Sequence, residues 1–280
     1  MSHKLPLAPA FTYPAAGRCI YCGSADGRLT KEHIIARGLN GNFILPAASC
    51  DACAAITSDV ERRVLRGFME DGRLAMGLAS RHKKHERPTS LSATFIGADD
   101  TKWATDVPIV DGLQVIHLPI FILPLSLGGE AKESNPNGIE IRGFDTMHFG
   151  DAPAVLREHA ATAIQFEHPM DVFAFARMLG KIAHAYYIAE KGWFPLEESP
   201  VLPVVLGKSE HAKVWIGCLE HAPLTRLGSK ALHLMDIVEL PPQGGTVCSL
   251  VRIKLFSPTE GPTYAVVTRI RPAVNNEPVA

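Results

Sequence analysis

Residues 19–53 read CIYCGSADGRLTKEHIIARGLNGNFILPAASCDAC, and the rest of the chain is best read outward from them. The stretch holds two Cys-x-x-Cys pairs, Cys19/Cys22 and Cys50/Cys53, with 27 residues between Cys22 and Cys50. A tight turn lets each pair present both sulfurs to one ion, and four thiolates complete the tetrahedral shell that zinc favours. Gly23, directly after the first pair, tolerates the positive φ such a turn needs. One pair alone would leave a redox role open, whereas two at this separation indicate structural zinc. Cys218 and Cys248 stand singly in apolar runs, where a buried free thiol is expected, and a reducing cytoplasm suits the whole set.

Between the pairs, Leu29–Ile35 reads as a short strand carrying the dipeptide Glu32-His33. Gly38-Leu39-Asn40-Gly41-Asn42 reads as a loop, Phe43–Pro46 returns as a strand, and a helix begins near Ala52. Strand, loop, strand and helix around zinc make a compact ββα unit. The segments CIYCG, LTKEHIIARGLNGN and ILPAASCDAC, within about residues 17–70, resemble a zinc-stapled HNH endonuclease domain of the phage endonuclease VII type. The resemblance implies that His33 is the general base that activates water. It implies that Glu32 is a ligand of one catalytic Mg2+ or Mn2+, and that a loop Asn orients the base, Asn42 first and Asn40 as the other candidate. Adjacent strand residues point to opposite faces, so Glu32 and His33 serve one site only if the strand bends or bulges.

One position departs from the family pattern. Where such domains carry Asn or His after the last cysteine, this chain has Ala54, whose methyl cannot bind a metal. Thr57, Ser58 and Glu61 follow on the same side of the helix, and Glu61 is the best replacement ligand by charge. Two readings result. The first is a metal-dependent HNH endonuclease hydrolysing phosphodiester bonds in DNA. The second is a catalytically degenerate zinc-binding module that binds nucleic acid or protein without cutting. A third reading places activity in the C-terminal part, where His148, His159, His168 and His184 show no recognised ligand spacing.

Charge distribution bears on the partner. The chain of 280 residues has a net charge of −1, but residues 1–90 hold 13 Lys/Arg against 8 Asp/Glu. That excess sits on the segment resembling a nuclease and favours phosphate. Lys31 and Arg37 flank the Glu-His pair, and Arg81, Lys83 and Lys84 fall in the basic stretch 81–88. The longest apolar run, Ile116–Leu127, is too short to span a bilayer. The proline-rich N-terminus lacks the apolar core of a signal peptide.

The chain divides into an arm (1–16), a zinc unit with following helices and basic linker (17–88), and a larger α+β domain (89–280). In the last, Met170–Lys191 carries apolar residues at helical spacing on most sides and reads as a central helix. A second short helix is expected over Arg73–Ser80, and Asp151–Gln165 reads as a helix capped by Asp151. Leu91–Gly97, Gln114–Ile122, Gly138–Arg142, Val201–Leu206, Lys213–Leu219, Ala231–Leu240, Thr246–Leu255 and Thr263–Ile270 read as strands of a mainly antiparallel sheet. The last two form a terminal hairpin. This domain could also supply a homodimer contact.

Overall fold

The computed structural model describes residues 9–78, 89–108, 114–165, 170–220, 224, 231–257 and 261–273. The arm contributes β1 (Phe11–Thr12), which runs parallel to β3 (Phe43–Cys50), and β3 pairs antiparallel with β2 (Leu29–His33). Gly41 closes the connection between β2 and β3. A Cβ there would lie 1.9 Å from the Ile35 carbonyl oxygen, so only glycine fits this backbone approach. Helix α1 (Asp51–Leu65) starts at Cys50 without a break, burying Cys53, Thr57, Val60 and Val64 on one face. A short helix α2 (Glu70–Ala75) follows, earlier than the expected Arg73–Ser80.

The remainder is α+β, with its strands divided among several sheets rather than gathered in one. Strands β4 (Ser90–Ile96) and β5 (Lys102–Pro108) pair, and β6 (Gln114–Phe121) pairs with β7 (Ile141–Phe149), all antiparallel. Helix α3 (Ala152–Glu158) is capped by Asp151, whose carboxylate accepts from the Ala154 amide at 3.0 Å. The expected continuation to Gln165 fails. The chain reverses through Ala160, held at φ 50°, and Ala163–Gln165 becomes β8 on the free edge of β4.

Helix α4 (Val172–Lys191) is the axis of the molecule. Asp171 caps it by accepting from the Ala174 amide at 2.9 Å, and Gly192 ends it at φ 83°. It packs on α1, on α5 (Leu202–Val205), on α6 (Ala212–Trp215), and on the sheet of β9 (Ile216–Leu219), β10 (Leu234–Glu239), β11 (Thr246–Lys254) and β12 (Thr263–Pro272). That sheet is antiparallel in the order β10-β11-β12-β9, with β11 and β12 forming the expected hairpin. Residues 201–206, expected as a strand, form α5 instead. A short apolar run does not separate a strand from a buried helix, and Pro203 fits a first helical turn. Likewise Lys213 falls in α6, and only Ile216–Leu219 is strand.

A single apolar cluster joins Ile20, Ile34 and Leu39 of the cysteine-bearing unit to Phe175 and Leu179 of α4 and Val251 and Val266 of the sheet. It runs across the division at residue 88. A small separate cluster, Ala93, Phe95, Val107 and Val155, lies between β4, β5 and α3.

Candidate metal centre

Cys19 and Cys22 flank a knuckle closed by the Gly23 amide donating to the Cys19 carbonyl at 2.8 Å, with Gly23 at φ 79°. Cys50 ends β3 and Cys53 lies in the first turn of α1. The four sulfurs lie within 4.8 Å of one another, none is in a disulfide, and Cys22 Sγ is 3.7 Å from Cys50 Sγ. A tetrahedron of zinc–sulfur bonds has an edge of roughly 3.8 Å, so the donor set fits zinc. The Cys53 amide at the helix start pulls the Cys50 thiol down to about 7, while burial pushes Cys53 up. These four residues could hold a metal such as zinc, and among the described residues they are the one group of three or more His, Cys, Asp or Glu donors close enough to share an ion.

At the other end of β2, the Glu-His pair has an unexpected companion. Register slips between Thr30 and Glu32, and this bulge turns Glu32 into the core, where it is 7% exposed. Glu61 of α1 meets it there, so the two proposed ion ligands do converge. The cation between them is Lys181 of α4, itself 1% exposed. Its Nζ lies 2.5 Å from Glu32 Oε1 and 2.8 Å from Glu61 Oε1, the latter an ion pair without hydrogen-bond alignment. The same ammonium donates to the backbone carbonyl of His33 and, at 3.2 Å, to that of Ile34. Burial alone would lower the Lys181 pKa, but the two carboxylates outweigh it and push it up to about 12. Burial raises Glu32 despite the opposing Lys181 charge. A hydrated Mg2+ or Mn2+ held by Glu32 and Glu61 has no room here while the ammonium occupies the point they share. The residues therefore do not fit the catalytic ion that the family resemblance implies.

His33 is half-buried, and its Nδ1 has no hydrogen-bond partner. Burial holds its pKa below the ordinary histidine value, assisted by Lys31, Lys181 and Arg37 and opposed by Glu61. The ring is thus neutral near pH 7, as a base must be. Asn42 does not orient it. The Asn42 amide donates to the Pro9 carbonyl at 2.8 Å, tying down the arm instead. Asn40 adopts a left-handed conformation at φ 58° and ends the 3-10 turn Arg37–Leu39. Thr57 donates to the Cys53 carbonyl at 3.2 Å and Ser58 is exposed, so neither joins the acidic pair. Lys31 and Arg37 are exposed beside the Glu-His strand. Arg81, Lys83 and Lys84 lie outside the described residues.

Two histidines extend the grip of the C-terminal part on this unit. His184, one turn after Lys181, binds the Ile20 carbonyl inside the cysteine knuckle at 2.7 Å and Ser199 Oγ at 3.1 Å. His233 donates from Nε2 to the Leu39 carbonyl at 2.6 Å and accepts the Phe256 amide at Nδ1. Burial pulls both down to about 4, so both are neutral donors. His159 stacks on Phe95 instead of joining any site, and His168 lies outside the described residues. Sequence reasoning missed Lys181, although a lysine among Leu179, Ile182 and Ala183 was a signal, since buried lysine is nearly always paired.

Comparison with protein-family models, with curated proteins and with solved structures returns no match. No helix among the described residues is long and apolar enough to cross a membrane.

Proposed function

We propose that this protein is a zinc-stapled ββα protein of the HNH type that binds nucleic acid and does not cut it with a divalent ion. The observation that carries this reading is the convergence of Glu32 and Glu61 on Lys181, which removes both carboxylates from metal chemistry. Phosphate binding is supported by Lys31 and Arg37, which stand exposed on either side of His33 and add to the positive excess of residues 1–90. The zinc holds the hairpin and α1 in register and takes no part in chemistry at phosphate. A gel-shift titration against single- and double-stranded DNA, with a plasmid-nicking assay in Mg2+ and Mn2+, tests the proposal. Salt-sensitive binding without nicking is the expected result, and nicking that His33→Ala abolishes would overturn it.

The second reading, endonuclease activity, is favoured by one observation. His33 offers a neutral, partly exposed imidazole at the same surface, which is the state a general base requires. In that reading His33 Nε2 takes a proton from water, and the phosphate charge is met by Lys31 and Arg37 alone. The same nicking assay decides between the two.

A further inference from the structure

Four oxygen atoms surround the Lys181 nitrogen: Glu32 Oε1 at 2.5 Å, Glu61 Oε1 at 2.8 Å, the Ile34 carbonyl at 3.2 Å and the His33 carbonyl. Carboxylate and backbone carbonyl oxygens are the donor types a hard cation such as calcium takes, and four of its roughly six to eight ligands are present here. The formal charge of the triad is −1, because one ammonium faces two carboxylates. A further polar atom lies beside it. The Tyr21 hydroxyl is buried without an aligned hydrogen-bond partner, and burial, reinforced by the charges of Glu32 and Glu61, keeps it protonated. In every other described ion pair both side chains are at least 21% exposed, so this buried lysine is a different kind of contact.

We infer that Lys181 is a tethered cation filling an oxygen cage of hard-metal type, so that the native protein takes up zinc alone and loss of the lysine opens a latent cation site. Lys181 is carried by α4 at 1% exposure, and its ammonium sheds water on burial as a free ion would, but the two carboxylates offset that cost and the tether keeps the charge in place. Tethering also fixes where the cation acts. The ammonium draws in the carbonyls of His33 and Ile34, and so holds the end of β2 at α4. A diffusible ion would leave that contact dependent on its concentration. This inference rests on the reading above only in denying a second ion, and it holds whether or not nucleic acid binds.

The test uses the zinc-loaded full chain and terbium(III), a hard ion whose emission a nearby tyrosine sensitises. Tyr21 is placed to do so. The native protein is expected to show no saturable emission and one zinc per chain. Lys181→Ala is expected to gain a site saturating at one equivalent of terbium, displaced by calcium and lost when Glu32→Gln or Glu61→Gln is added, with zinc content unchanged. Terbium or manganese uptake by the native protein that Glu32→Gln removes would overturn the inference. So would a folded, zinc-bearing Lys181→Ala chain that takes up no ion. Should Lys181→Ala unfold, calcium is expected to restore its circular dichroism, because an ion that binds only the folded chain stabilises it. Failure of millimolar calcium to do so also overturns the inference. Gel shifts run on the same samples report on nucleic-acid binding separately, so the two proposals fail independently.

Discussion

Glu32 of β2 and Lys181 of α4 form a buried ion pair at 2.5 Å, joining the strand that carries His33 to the central helix. Breaking a buried pair from one side leaves an uncompensated charge in the core, which costs about 3–5 kcal/mol. Lys181→Met is therefore expected to lower the free energy of unfolding by about that amount. Adding Glu32→Gln to it should recover part of the loss. Urea unfolding of the two single variants and the double variant checks this, and additive losses would contradict the coupling.

Stability should fall on acidification. His184 and His233 are each held near 4 by burial, below the ordinary value of 6.5. Their folded pKa values are depressed, so the unfolded chain binds the extra protons. The stability they contribute is present above pH 6.5 and is lost as pH falls toward 4. Each shift corresponds to about 3 kcal/mol, and the combined slope approaches about 2.7 kcal/mol per pH unit within that window. Urea midpoints at pH 7, 5.5 and 4.5 measure it. His233→Asn is expected to flatten the profile, and an unchanged slope would count against the assignment.

One zinc per chain is expected by elemental analysis. Cys50→Ser should lower that occupancy, and a strong chelator should lower the melting temperature of the native protein, because ligation is coupled to folding in such sites. A chain that keeps its melting temperature after complete zinc removal would separate the metal from the fold.

Gly41→Ala tests the loop between β2 and β3. The new methyl would meet the Ile35 carbonyl oxygen at 1.9 Å and its carbon at 2.5 Å, both backbone atoms that cannot rotate away. A loss of about 3 kcal/mol in urea unfolding is expected, at the upper end for overpacking. A loss under about 1 kcal/mol would mean that the loop yields.

Lys31→Ala and Arg37→Ala address the phosphate surface. Each removes one exposed cation beside His33. For duplex DNA the slope of log K against log salt should become shallower by about 0.9 per lost contact. Unchanged slopes in both variants would place the nucleic-acid contact elsewhere.

Much of the cysteine-bearing unit was legible because its constraints are local. Cysteine spacing brought four sulfurs to one point, the run from Phe43 to Cys53 gave strand then helix, and Asp151 announced its cap. The convergence of Glu32 with Glu61 followed from the side of α1 that Cys53 occupies. Its counter-ion was not legible, because Lys181 comes from a helix distant in sequence and only packing brings it in. Asn42 was misread for the same reason, since its partner is the Pro9 carbonyl of the arm. In the C-terminal part, α5 and the return of Ala163–Gln165 to β4 depend on tertiary contacts that an apolar pattern does not encode.

The grip of His184 on the Ile20 carbonyl means that the cysteine knuckle is not a detachable cassette. Excised as residues 17–88, it would lose the donors to Ile20, His33, Ile34 and Leu39 and keep two carboxylates, Glu32 and Glu61, with no lysine between them. A fragment cut at that boundary would therefore be a poor reporter of the intact chain, and damage to the distal hairpin of β11 and β12 would be felt, through α4, at the four cysteines.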